Sequence, residues 1–226
     1  PRGLLPGNGL KPDEITAAEL FRRAGYRTAL FGKWHLGSTP EMSPNAQGFD
    51  EFFGHRTGTL DAYSHFFYVE GVNRHVLERN GEPVQRPGEY LPDLLVDEAT
   101  SFIDRAGDDP YFLYLPFAIP HYPVQPRREH RELYESKGID DKRRVLYGAY
   151  LTTLDECVGR VLAAVEANGQ SDRTLVIFLS DHGHSTEPRA FGGGGSAGPY
   201  SGHKETLWEG GIRVPCIASC PGRIPA

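Results

Sequence analysis

A chain of 226 residues, 38% of them apolar, can bury the core of one large α/β domain or two small ones, which excludes global disorder. The net charge of −6 argues against nucleic acid as the main partner. No apolar run approaches the roughly 18 residues needed to span a membrane. The opening stretch PRGLLPGNGLKP carries no initiator Met and no signal peptide, and RVPCIASCPGRIPA stops just after a predicted strand. A fragment of a longer protein, truncated at both ends, is the expectation.

Thr16-Ala-Ala-Glu19 has the spacing of a capping box, and Gly25 suits the position just past a helix end. A helix from about 16 to 24 therefore feeds a strand, YRTALFG. Residues 38 to 90 are rich in Gly, Pro, aromatics and charge and predict only short strands. From Leu94 to Arg105, apolar residues at 95, 99, 102 and 103 predict a helix, followed by a second buried strand in PYFLYLPFAIPH. Residues 141 to about 167 predict the longest helix, with Tyr147, Leu151, Leu154, Val158, Val161 and Val165 as its apolar stripe and Gly169 ending it.

TLVIFLSDHGHS, residues 174 to 185, follows. Leu175 to Leu179 are apolar without alternation, as in a parallel strand covered on both faces. Residues 183 to 203 include GGGGSAGPYSG, which suits neither helix nor sheet and predicts a mobile loop. Helix then strand thus occurs three times, which predicts an α/β fold with a mostly parallel mixed sheet between helices. Cys216 and Cys220 lie four apart in a strand, about 13 Å between Cα atoms, too far for a disulfide. With Cys157 in a helix, three buried thiols are expected.

Each predicted strand ends in chemistry. Lys33 and His35 are two apart in FGKWHLG, so an extended backbone would point them the same way. His121 follows Pro120, and Asp181 and His182 end the third strand, with His184 just beyond. Singly, each is more often a turn or surface residue. Jointly, at the carboxyl ends of parallel strands, they form the edge where α/β sheets bind ligands. A carboxylate there suits a hard cation such as Ca²⁺ or Mg²⁺, and Lys with protonated His suits an oxyanion such as sulfate or phosphate.

The segments AGYRTALFGKWHLG, GFDEFFG, PYFLYLPFAIPHYPVQP, TLVIFLSDHG and KETLWEGGIRVP occur in this order from about Leu10 to Pro225. Together they resemble the sulfatases of the alkaline-phosphatase-like superfamily. SDHGHSTEPRAFGGGGSAGPYSGHK is most similar to bacterial arylsulfatase-like enzymes acting on sulfated carbohydrates. The resemblance implies hydrolysis of sulfate esters, of sulfated glycans or aryl sulfates. It implies sulfate contacts for Lys33, His35, His121 and Lys204, against a surface lysine on a loop for the last. His121 and His35 are both candidates to protonate the leaving alcohol. The resemblance assigns Asp181 to a single Ca²⁺, with Mg²⁺ the lesser candidate, and His182 to the ion or to the sulfate. It also implies export to the periplasm or the cell exterior.

The family's nucleophile is a formylglycine made from Cys or Ser in a C-x-P-S-R or S-x-P-S-R segment, and this chain has none. That segment and an N-terminal Asp pair for the metal are expected before Pro1, and a smaller C-terminal subdomain after Ala226. Residues 1–226 are then a partial catalytic domain, inactive alone. The rivals are a phosphomonoesterase, phosphodiesterase or phosphonate hydrolase of the same superfamily, and a non-catalytic relic that binds sulfated glycans. The oligomeric state is left open.

Overall fold

The structure, a computed structural model, describes residues 9–69 and 71–224. Most of the opening stretch, and the final Pro225 and Ala226 of the last one, lie outside the described residues. Contacts divide the chain into two compact units between Ala118 and Ile119, and each is taken by itself. Among the described residues there are five α-helices and nine strands.

In the first unit, α1 (Ala17–Arg23) starts as its capping box predicts. The Thr16 hydroxyl accepts from the Glu19 N–H at 3.1 Å, and the Glu19 carboxylate accepts from the Thr16 N–H at 2.8 Å. Gly25, at φ +84°, lets the chain turn back into β1 (Arg27–Lys33). β1 is the best buried strand, with Ala29, Leu30 and Phe31 fully enclosed. Beside it runs β2 (Glu51–His55), parallel, from Ala29 opposite Glu51 to Lys33 opposite His55. Near the strand ends Gly32 pairs with Gly54. A Cβ on Gly54 would lie 1.9 Å from the Gly32 carbonyl oxygen, so the close approach requires glycine there.

Four two-residue strands follow: β3 (Phe66–Phe67), β4 (Arg74–His75), β5 (Glu78–Arg79) and β6 (Glu82–Pro83). Then come α2 (Leu91–Ala106) and β7 (Tyr111–Tyr114). The five-stranded sheet has the order β6-β5-β2-β1-β7. β2, β1 and β7 are parallel, while β5 and β6 are antiparallel, so the sheet is mixed and the fold is α/β. α2 buries Leu95, Val96, Ala99, Phe102 and Ile103, and Phe102 meets Phe31 edge-on, ring centres 5.9 Å apart. β7 is shorter and less buried than predicted. It lies at the sheet edge, and its run soon meets Pro116, which has no N–H to offer a neighbouring strand.

In the second unit, α3 (Arg128–Glu135) packs on α4 (Lys142–Ala167). Asp141 caps α4 by accepting from the Arg143 N–H at 2.9 Å. The buried face of α4 is not the predicted stripe. It runs through Val145, Ala149, Tyr150, Thr153, Leu154, Cys157 and Val165, keeping only Leu154 and Val165 of that stripe. The reason is shape: small Ala149, Thr153 and Cys157 recur every four residues and admit the neighbouring segment closely. Thr153 Oγ1 lies 2.9 Å from His130 Nδ1 of α3 and accepts from the Arg127 N–H at 3.3 Å.

The chain continues into β8 (Val176–Leu179), the four-residue α5 (Glu209–Ile212) and β9 (Cys216–Ser219). Here the sequence reading needs correction. β8 is not among the strands of the five-stranded sheet; it pairs antiparallel with β9, Val176 opposite Ser219 and Leu179 opposite Cys216. Nor is it buried: Ile177 is 54% exposed and Leu179 56%. A run without alternation says that both faces can be covered, but what covers them is decided elsewhere in the chain. All three cysteines are free, and Cys216 is exposed rather than buried. Among the described residues no helix is long and apolar enough to cross a membrane.

Candidate functional site

In the first unit, β1 ends at Lys33, whose N–H donates to the Pro116 carbonyl at 2.9 Å. Trp34 then turns into the core. Its indole N–H donates to the Met42 carbonyl at 2.8 Å and its backbone N–H to the His55 carbonyl at 2.9 Å. The extended-strand argument does not hold for His35, which adopts a left-handed φ of +53°. The buried Trp34 anchors the turn, and the backbone at Gly58 passes close to the imidazole. A Cβ on Gly58 would lie 3.0 Å from His35 Nε2. A left-handed non-glycine residue costs about 1–2 kcal/mol, and such residues cluster at functional sites.

In the second unit, Asp181 and His182 follow β8 directly. The Asp181 side chain is 81% exposed, and its Oδ2 lies 3.3 Å from His182 Nε2. His182 Nδ1 lies 2.9 Å from the Gly183 carbonyl oxygen. A carbonyl only accepts, so Nδ1 carries a proton, and Nε2 faces the carboxylate. A carboxylate oxygen and an imidazole nitrogen, both atom types that can ligate a metal, thus lie side by side. Two donors are far short of the six to eight oxygens that Ca²⁺ takes. Among the described residues no three His, Cys, Asp or Glu side chains gather to hold a metal. The pair fits part of a hard-cation site and does not make one.

Lys204 is not a surface lysine. It is only 9% exposed, and its ammonium donates to Glu187 Oε2 at 2.7 Å. The same carboxylate accepts from the Ser185 hydroxyl at 3.1 Å and, through Oε1, from Arg189 Nε at 2.8 Å. Burial pushes the Glu187 carboxyl up. The hydrogen bonds from Lys204 and Arg189 and the charge of Lys204 outweigh it and hold the group at about 2. The Arg189 guanidinium lies 4.8 Å from the Tyr122 ring centre, and that ring stands 4.4 Å from the ring of His121. His121 Nδ1 faces the Tyr122 carbonyl at 2.7 Å, and since a carbonyl only accepts, Nδ1 carries a proton. His121 and Lys204, 83 positions apart, are linked through Tyr122, Arg189 and Glu187.

No pattern among neighbouring residues points to those three. Glu187 lies 17 positions from Lys204 in an unpatterned stretch, and only the loop's path joins them. That path is specific. The Lys204 N–H donates to the His184 carbonyl at 2.9 Å, which ties the loop's ends together. The glycine run lies on α4: a Cβ on Gly194 would stand 2.5 Å from the Arg143 carbonyl oxygen, and the Arg144 guanidinium donates to the Gly194 carbonyl. Close approach to a helix is therefore one reason for glycine in this loop.

Comparison with known proteins gives the family. A family model described as Sulfatase matches residues 5–226. The arylsulfatase of Hemicentrotus pulcherrimus is 34% identical over 231 residues, covering 96% of this chain and 40% of that protein. The N-acetylgalactosamine-6-sulfatase of Canis lupus familiaris is 34% identical over 232 residues, 96% of this chain and 42% of that protein. Among solved structures, Ps i-CgsB in complex with k-i-k-neocarrahexaose superposes with a TM-score of 0.87 at 31% identity, over 99% of this chain and 52% of that one. The chain thus spans about two fifths of the length of these curated relatives.

Proposed function

This chain belongs to the sulfatase family, and on that premise we propose that it is part of an enzyme that hydrolyses sulfate esters of carbohydrates. The observation that carries the reading is the buried Lys204. Two cations share the Glu187 carboxylate there, so Lys204 keeps attraction for an oxyanion. The carbohydrate class is supported by the N-acetylgalactosamine-6-sulfatases and by the oligosaccharide complex of Ps i-CgsB.

Lys33 and Lys204 neutralise the sulfuryl oxygens as charge builds in the transition state. His35 and His121 bind the sulfate, and one of them protonates the leaving alcohol. Asp181 and His182 would be ligands of a divalent cation, Ca²⁺ on the family's pattern. When bound, the ion would supply further charge neutralisation, and a formylglycine on the family's pattern would supply the attacking oxygen. Export belongs to the same reading.

The test is turnover of 4-nitrophenyl sulfate by the full-length protein. Lys204→Ala should lower kcat/KM roughly tenfold to a thousandfold. Wild-type kcat/KM in a folded variant, or a preference for 4-nitrophenyl phosphate, would overturn the reading.

A further inference from the structure

We infer that Glu187 is the positioning residue for Lys204: its carboxylate fixes the buried ammonium so that the remaining N–H groups meet the anionic oxygens of the ester. The inference rests on the sulfate-binding role proposed above for Lys204 and adds what holds it.

The ammonium has three N–H donors, and Glu187 Oε2 takes one at 2.7 Å. Left to itself, a lysine on a flexible four-carbon stem must lose rotamer freedom to hold one place. A buried ammonium also needs a counter-charge. Glu187 answers both demands because it is itself held. Ser185 Oγ and Arg189 Nε occupy its two oxygens, at 3.1 and 2.8 Å. Its backbone carbonyl accepts from the N–H groups of Ala190 at 2.9 Å and Gly192 at 3.0 Å.

The charge count explains the Arg. Glu187 with Lys204 alone would be neutral and would compete with an incoming anion. Arg189 on the second oxygen shares the Glu187 carboxylate with Lys204, so Lys204 alone does not take up its charge; the Glu205 carboxylate also acts on Arg189.

The experiment is a double-mutant cycle in the full-length enzyme with 4-nitrophenyl sulfate, thermal melts serving as the fold control. Glu187→Gln should lower kcat/KM about tenfold, and Glu187→Asp should recover part of the loss. In the Lys204→Ala background Glu187→Gln should cost nothing more, because nothing is left to position. If Glu187→Gln does not fold, Ser185→Ala releases a single restraint and should lower kcat/KM a few-fold, again only when Lys204 is present. Wild-type kcat/KM in Glu187→Gln beside an impaired Lys204→Ala overturns this inference and spares the sulfatase reading. An additive loss in the double variant also overturns it, since that marks a general structural role. A Lys204→Ala enzyme of wild-type kcat/KM removes both.

Discussion

β1 and β8 carry the same kind of sequence and meet opposite fates. Each is an apolar run that ends in side chains suited to chemistry, Lys33 in one and Asp181 with His182 in the other. β1 has parallel neighbours on both sides and α2 against it, and its middle residues lose all contact with solvent. β8 has one antiparallel neighbour among the described residues, and its apolar side chains stay exposed. The run alone does not set burial; hydrogen-bonded neighbours and a covering layer do. A two-stranded sheet is marginal by itself. The residues after β8 are instead held by the polar cluster around Glu187 and by the glycine run lying on α4.

The largest expected effect tests this contrast directly. Phe31→Ala removes a fully buried ring that meets Phe102 and should cost about 3–5 kcal/mol of stability. Ile177→Ala on β8 should stay within about 0.5 kcal/mol in the same 226-residue chain. Denaturant titration of both variants decides it, and equal losses would break the comparison.

The next effect is one of pH. Glu187 is held at about 2 against an ordinary value of 4.5, so its contribution is present above pH 4.5 and is lost as pH falls toward 2. The loss is on the order of 2 kcal/mol. Hydrogen exchange should therefore quicken in residues 184–204 across that window while the β1 amides stay protected. In Glu187→Gln the loop should already exchange fast at neutral pH and change little on acidification. An acid response beginning in β1 would reverse the assignment.

The smallest effect lies at the start of the first unit. Thr16→Ala removes one half of the capping box and should cost about 1 kcal/mol, seen as a lower denaturation midpoint with an unchanged slope. Thr16→Ser should restore most of it. A loss as large as that of Phe31→Ala would mean that Thr16 acts through its further bond to the Gln47 carbonyl, 2.7 Å, rather than as a cap.

What the amino-acid order determined by itself was local. The capping box at Thr16 and Glu19, the positive-φ glycines after α1 and α4 and the spans of α2 and α4 were legible because their hydrogen bonds close within about four residues. The family was legible too, because its motifs are short runs of neighbouring residues. The tertiary structure alone decided the rest. β2 is five residues in a stretch rich in Gly, Pro and charge, and only pairing with β1 makes it a buried strand. The buried face of α4 follows small side chains that a hydrophobic stripe passes over, because close packing rewards shape as well as apolarity. His35 left the strand because Trp34 had a core to enter. Lys204 looked like a loop lysine until the path of residues 184–204 brought Glu187 to it. An ion pair between residues 17 apart exists only once the loop has closed, so its energy is written in the path of the chain and not in the order of its residues.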